Sequence, residues 1–268
     1  MRRQPAVAAQ FYSGNTVQLR DDLSALIPKK SALKARVKGV ISPHAGYVYS
    51  GAVAGELYAN IDIPGTVLII GPNHHGVGEP AALYPEGEWL TPLGTTSINV
   101  KLNSCLLKHT PYLKSDTAAH KLEHSLEVQL PFIQYLRPDV TISVLCISRG
   151  DFSALSAIGQ GIASAVNEYA DDVLIVASSD MTHYESAAAV RAKDDMALGK
   201  ILLLDAEGLL EVCNRNNITM CGVAPAVVMI EAAIKLGADH AELLAYSNSG
   251  DVAGDYSNVV GYAAVSVS

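Results

Sequence analysis

Long apolar runs are missing from this 268-residue chain. None approaches the ~18 residues that a bilayer-crossing helix needs, so no membrane span is expected. The opening stretch, MRRQPAVAAQFYSG, has two arginines but no sustained apolar segment before Gly14. No cleaved leader is therefore expected, and the chain reads as cytoplasmic. Basic residues are scarce too. A formal net charge of -8 argues against nucleic-acid binding, because neutralising phosphates needs a clustered basic surface. The one basic cluster, from Lys29 and Lys30 to Lys38, reads as a solvated loop. Only four cysteines occur, at 105, 146, 213 and 221. They form no C-x-x-C pair, which argues against a disulfide framework, an iron–sulfur cluster or a structural zinc site. Cys146, inside TISVLCIS, reads as a small buried hydrophobe. Walker A and G-x-G-x-x-G strings are absent, which disfavours nucleotide cofactors, and no G-x-S-x-G elbow marks a serine nucleophile.

What the sequence does contain is a series of short β-branched runs: VKGVIS (37–42), TVLIIG (66–71), VTISVLCIS (140–148), DVLIVASS (172–179), AELLAYS (241–247) and NVVGYAAVSV (258–267). Between most of them lie helix-length periodic stretches, among them GAVAGELYAN, HSLEVQLPFIQYL, FSALSAIGQGIASAVNEYA and GVAPAVVMIEAAIKLG. Apolar strands alternating with helices predict an α/β fold, with a largely parallel central sheet and helices on both faces. No linker, low-complexity tract or repeat divides the chain, so residues 1–268 are expected to form a single domain. Val77 to Leu93, rich in Gly and Pro, is expected as a hairpin or long loop beside the sheet, where Trp89 either packs or covers a cleft.

Three of the strands end alike. VKGVIS runs into Pro43-His44, TVLIIG into Pro72-Asn73-His74-His75, and DVLIVASS into Asp180-Met181-Thr182-His183. Ligands of open parallel sheets bind beyond the carboxyl ends of the strands, so these imidazoles are expected on one rim. Of the adjacent pair only one can face the site, because neighbouring side chains of extended backbone point to opposite sides. The residues leave open whether that is His74 or His75. Cys221 precedes a helix-like run with Pro225 near its first turn. The positive end of the helix dipole is expected to lower its thiol pKa and favour thiolate. In HKLEHSLEVQL, a helix would align His120, Glu123, His124 and Glu127 on one polar face that buttresses the strand-end histidines. The same letters match the H-x-x-E-H string of zinc peptidases, a reading that lacks an evident third ligand.

The stretches AVAAQFY, ISPHAGYVYSG, GPNHHG, EHSLEVQLPF, SSDMTHY, Cys221-Gly222 and YSNSGD together resemble the Memo-like family, called AmmeMemoRadiSam system protein B in bacteria and archaea. They occur in the family's order and cover nearly the whole chain; Ser13 and Asn248 are small departures outside the proposed site. The resemblance implies a fold similar to class III extradiol dioxygenases, which hold non-haem Fe(II) with two histidines and a carboxylate. By position, His44 and His74 match the histidine ligands, His183 the acid–base histidine, and Cys221 falls where the glutamate ligand stands. A thiolate there shifts metal preference toward copper or zinc while still permitting iron, and weakens the expectation of ring cleavage.

The expected site is thus a mononuclear metal, iron first and copper or zinc next, held by His44, His74 and Cys221. Asp180 holds a ring or a bound water and His183 exchanges a proton. Tyr47, His75, His124 and Glu127 are candidate substrate contacts, and the expected activity is metal-dependent redox chemistry. The alternative is a binding module that uses the same cleft for a peptide or partner protein. By family association only, a radical-SAM protein and an AMMECR-type protein are expected partners.

Overall fold

The computed structural model describes residues 1–29 and 34–268; Lys30, part of the basic cluster, lies outside them. Lys29, Lys34, Arg36 and Lys38 are exposed, as a solvated stretch requires. The protein is a single α/β domain. Its centre is a four-stranded parallel block in the order Gly39–Ser42, Val173–Ser178, Thr66–Pro72, Thr141–Ile147. Antiparallel strands flank this block. Val259–Val267 pairs with Gly39–Ser42 and carries both Ala241–Asn248 and His183–Glu185, while Ala81–Leu83 pairs with Thr141–Ile147 and with Lys114–Ser115. Among the described residues the nine-stranded sheet is therefore mixed: parallel in the central block and again where Ala81–Leu83 meets Lys114–Ser115, antiparallel at the other pairings.

The central strands read as unbroken apolar runs because both faces are covered. In Thr66–Pro72, Leu68 and Ile70 point into one core and Val67 and Ile69 into the other. Helices Phe152–Tyr169 and Val223–Lys235 cover the first face, and Thr16–Leu26 and Tyr47–Asn60 the second. Capping fixes several helix starts: Asn15 accepts from the amides of Val17 and Gln18, and Asp151 from that of Ala154.

Two expectations are corrected. The Gly/Pro-rich segment does form a hairpin, Glu88–Thr91 with Gly94–Ser97, in a small sheet with Arg2–Arg3, but its first part joins the main sheet as Ala81–Leu83. Trp89 is 1% exposed and covers no cleft; it packs edge-on to Tyr84 and His120. The helix expected from His124 begins later, as a short 3-10 turn at Glu127–Gln129 followed by Leu130–Leu136. Residues before Glu127 form turns, because the Glu123 carboxylate folds back to accept the Ser125 amide at 2.9 Å.

Close approach of two helices sets one testable limit. A Cβ on Gly55 would lie 2.0 Å from the Leu26 carbonyl oxygen and 2.6 Å from its carbon. Alanine gains about 1 kcal/mol of helix propensity over glycine, but overpacking costs about 1–3 kcal/mol and is worst when the obstacle is backbone. Gly55→Ala should therefore lose about 2 kcal/mol net, lowering the melting temperature by about 4–8 °C in a scanning experiment.

Candidate metal centre

Each expected ligand leaves a different element at the carboxyl edge of the parallel block. Strand Gly39–Ser42 delivers His44, Thr66–Pro72 delivers His74, and Cys221 stands just before helix Val223–Lys235. Gly222 makes the last approach feasible: any Cβ there would sit 2.4 Å from the Ser178 carbonyl oxygen and from Ser179 Cβ. One ring nitrogen of each histidine and the Cys221 sulfur lie within 4.8 Å of one another. Donors bound at about 2.0–2.3 Å to one ion are at most about 4.5 Å apart, so only small side-chain adjustments separate this group from a closed site.

The hydrogen bonds assign the tautomers. His44 Nδ1 lies 3.0 Å from Ser178 Oγ, which itself donates to the Ser125 carbonyl at 2.6 Å and accepts from Gln129 Nε2 at 2.8 Å. A hydroxyl has one proton, already committed, so Ser178 accepts from His44 Nδ1–H. His44 Nε2 is then an unprotonated lone pair, 3.1 Å from Cys221 Sγ. His74 follows the same logic. Its Nδ1 lies 2.9 Å from Glu123 Oε1 and its amide donates to Glu123 Oε2 at 2.8 Å, so a carboxylate takes Nδ1–H and leaves Nε2 for the site. This donor set fits a metal ion.

Electrostatics are dominated by burial. His44 is held far below the usual imidazole range by desolvation, helped by neighbouring His124 and His74. Desolvation alone would raise Glu123, but the His74 contact and the Ser125 and His74 amides outweigh it and hold the carboxyl well below its usual range. Asp180 is pushed up to about 6 by burial, against the His44 and Ala45 amides that its Oδ1 accepts at 2.7 and 3.3 Å. Its carboxylate therefore grips the His44 turn through the backbone and not through an imidazole. Cys221 departs from expectation. Burial, then the nearby Asp180, pushes the thiol up, and this exceeds what the helix start and the Asp180 amide at 3.3 Å provide.

The other candidates divide. His183 donates its amide to Thr219 Oγ1 at 2.7 Å, and its buried Nδ1 meets no hydrogen-bond partner among the described residues. Burial lowers its pKa. His124 stacks on His74 at 4.6 Å between ring centroids and meets His44 at 5.4 Å and Phe11 at 4.9 Å. His75 points away, exposed, with Nε2 3.1 Å from the Leu122 carbonyl. Tyr47 is buried and spends its hydroxyl on the Val128 carbonyl at 2.7 Å. Glu127, wholly buried, pairs with Arg3 at 2.6 Å. Tyr47 and Glu127 thus have their polar groups committed within the fold. A second group, His74, Glu123 and His124, also has metal-like spacing, yet Glu123 already accepts two amides and His74 Nδ1, so it serves as support for the first site.

A family model described as Memo-like protein matches residues 3–266. The chain belongs to the Memo-like family. A MEMO1 family protein of Aquifex aeolicus is 42% identical over 261 residues, 97% of each chain. Relatives from Methanosarcina acetivorans and Methanopyrus kandleri are 41% and 38% identical, each covering 99% of this chain and 98% of its own length. Among solved structures, an uncharacterized protein from Escherichia coli K12 superposes with a TM-score of 0.59 at 12% identity, over 86% of this chain and 99% of its own, which speaks for the fold alone. No helix among the described residues is long and apolar enough to cross a membrane.

In this Memo-like chain, nothing local in the sequence marks Ser178, Gln129 and Ser125 as site residues; a serine closing a β-run is too common to signal a histidine partner. HKLEH is corrected as a zinc motif. It lies in turns, and His120 is turned inward with Nε2 3.0 Å from the Ala82 carbonyl. Burial lowers the His120 pKa to about 4. The unfolded chain takes up this proton near pH 6.5 and the folded one only near 4, so the stability His120 contributes is complete above pH 6.5 and lost as pH falls toward 4. Between pH 7 and 5 this is on the order of 1–2 kcal/mol. Urea denaturation of metal-free protein should show a fall over this range, and His120→Gln should make it shallower by about that amount; comparison with the variant cancels the parallel contributions of His44, His124 and His183 and the opposing one of Asp180.

Proposed function

We propose that this Memo-like chain binds one metal ion through Nε2 of His44, Nε2 of His74 and Sγ of Cys221, and uses it in redox chemistry on an organic substrate. Iron is the first candidate, with copper or zinc next. The observation that carries this reading is the shared orientation of the two imidazoles: each has Nδ1 committed to an oxygen of the fold, which leaves Nε2 for the site, and that of His44 meets the thiol. Bound there, iron or copper would supply electron exchange with dioxygen. The chain's own residues do the rest. Asp180 fixes the His44 turn through two amides. His183, whose Nδ1 has no hydrogen-bond partner among the described residues, would take or give a substrate proton. His124 and Phe11 form one wall, against which a substrate packs.

A second reading, a cleft for a peptide or partner protein, draws on Tyr184. This residue beside His183 is 74% exposed and has φ of 60°, a conformation that costs a bulky residue about 1–3 kcal/mol and persists where the surroundings enforce it.

Protein purified without added metal should contain close to one equivalent of a transition metal, and His44→Ala, His74→Ala and Cys221→Ala should each lose it. Full occupancy retained in the variants overturns the ligand set. Oxygen consumption by the iron- or copper-loaded protein with a reductant should fall about 100-fold or more in His183→Gln. A rate no faster than that of free metal favours the binding reading.

A further inference from the structure

The N-terminal strand sends one charged side chain inward. Arg3 is 6% exposed, and its guanidinium lies 4.1 Å from the centroid of the Trp89 ring. Its Nε donates to the His120 carbonyl at 2.7 Å, Nη2 to the Glu123 carbonyl at 2.7 Å, and Nη1 to Glu127 Oε2 at 2.6 Å. Burying a guanidinium is costly unless its donors are satisfied. Here two of the acceptors are main-chain carbonyls of the turn whose Glu123 side chain holds both the amide and Nδ1 of His74.

Residues 120–126 lie in no helix or strand, so side-chain bonds hold the turn: Ser178 Oγ donates to the Ser125 carbonyl and His120 Nε2 reaches the Ala82 carbonyl, while the His120 and Glu123 carbonyls are held by Arg3. Glu127, the third partner, also accepts the amides of Ala6 and Val7 at 2.7 and 3.1 Å and the Tyr12 hydroxyl at 2.6 Å. The segment fixed in this way continues to Phe11, whose ring meets His124. Arg3 and Glu127 thus form a hub that ties the N-terminus to the turn behind His74.

We infer that Arg3 is a positioning residue of the metal centre: by fixing the carbonyls of His120 and Glu123 it sets the Glu123 carboxylate, and through it the His74 imidazole. The inference rests on the metal reading above. It requires a planar fork of donors in three directions, which a lysine ammonium on a flexible stem does not reproduce.

Cobalt(II) titration, followed by ligand-field and thiolate charge-transfer absorption, separates the two ideas. Wild type should take up one equivalent, with the charge-transfer band lost in Cys221→Ser. Wild-type protein that takes up no cobalt overturns both the metal reading and this inference. Given uptake, Arg3→Lys should bind about 10–100-fold more weakly with a shifted spectrum, as loss of an outer partner does elsewhere. The double variant Arg3→Met with Glu127→Gln, which leaves no unpaired buried charge, should show the same loss. Arg2→Ala, at an exposed neighbour paired with Glu88, should leave affinity and spectrum unchanged. Arg3→Lys with wild-type affinity and spectrum, whatever its melting temperature, overturns the positioning role and leaves Arg3 purely structural.

Discussion

The Ser178 hydroxyl decides which nitrogen His44 presents. Its proton goes to the Ser125 carbonyl and one lone pair accepts from Gln129, so its contact with His44 Nδ1 has only one polarity. Gln129 cannot turn over either, because its Oε1 accepts from the Tyr58 hydroxyl at 2.9 Å while its Nε2 also donates to the Pro43 carbonyl at 2.9 Å. The imidazole of His44, which is 2% exposed, is therefore locked in rotation and in tautomer. This arrangement depends on register. Ser42 and Ser178 are direct partners in the parallel pair Gly39–Ser42 with Val173–Ser178, and a slip of one residue would turn the hydroxyl to the other face.

The thiol completes the group under an opposing force. A helix start favours thiolate, but Cys221 is buried beside a carboxyl group, and both effects favour the protonated form. Without a cation the proton stays on sulfur or is shared with the His44 lone pair 3.1 Å away. A metal ion reverses that balance, because a coordinating thiol is deprotonated outright. Metal uptake at such a site releases a proton and weakens as pH falls. A high thiol pKa is therefore no obstacle to a ligand role, because such a thiol ionises when a cation binds it.

Much of this was legible in the chain because strand ends are local. An apolar run that stops at Pro-His or Pro-Asn-His states both where a strand finishes and what it delivers, and the alternation of side chains states that only one of two adjacent histidines can serve. Which one depended on Glu123, forty-nine residues away, and no periodicity reports that. The error at HKLEH has the same origin. Helical spacing described the string well, but a carboxylate that captures the His74 and Ser125 amides holds the backbone in turns. Arg3 was invisible for a third reason: an arginine near a terminus reads as solvated, and only the converging carbonyls of His120 and Glu123 explain its burial. Tyr47 follows His44 by three residues and Glu127 shares a helical spacing with Glu123, yet both side chains are turned into other bonds.

Glu123 and Asp180 do one job under different electrostatic conditions. Each carboxylate accepts the amide of a histidine that ends a strand, and so fixes the direction in which the chain leaves the sheet. Asp180 has two amide dipoles and a smaller electrostatic contribution from His74 to offset its desolvation, and is pushed up to about 6. Glu123 gains a ring N–H as well, and its carboxyl falls below the usual range. The permanent negative charge thus sits behind His74, while the His44 side is supported by a neutral hydroxyl. Two histidines that look equivalent in the sequence consequently stand in unequal settings, one backed by a carboxylate and one by a hydroxyl, and the asymmetry arises from residues outside the His-His-Cys group.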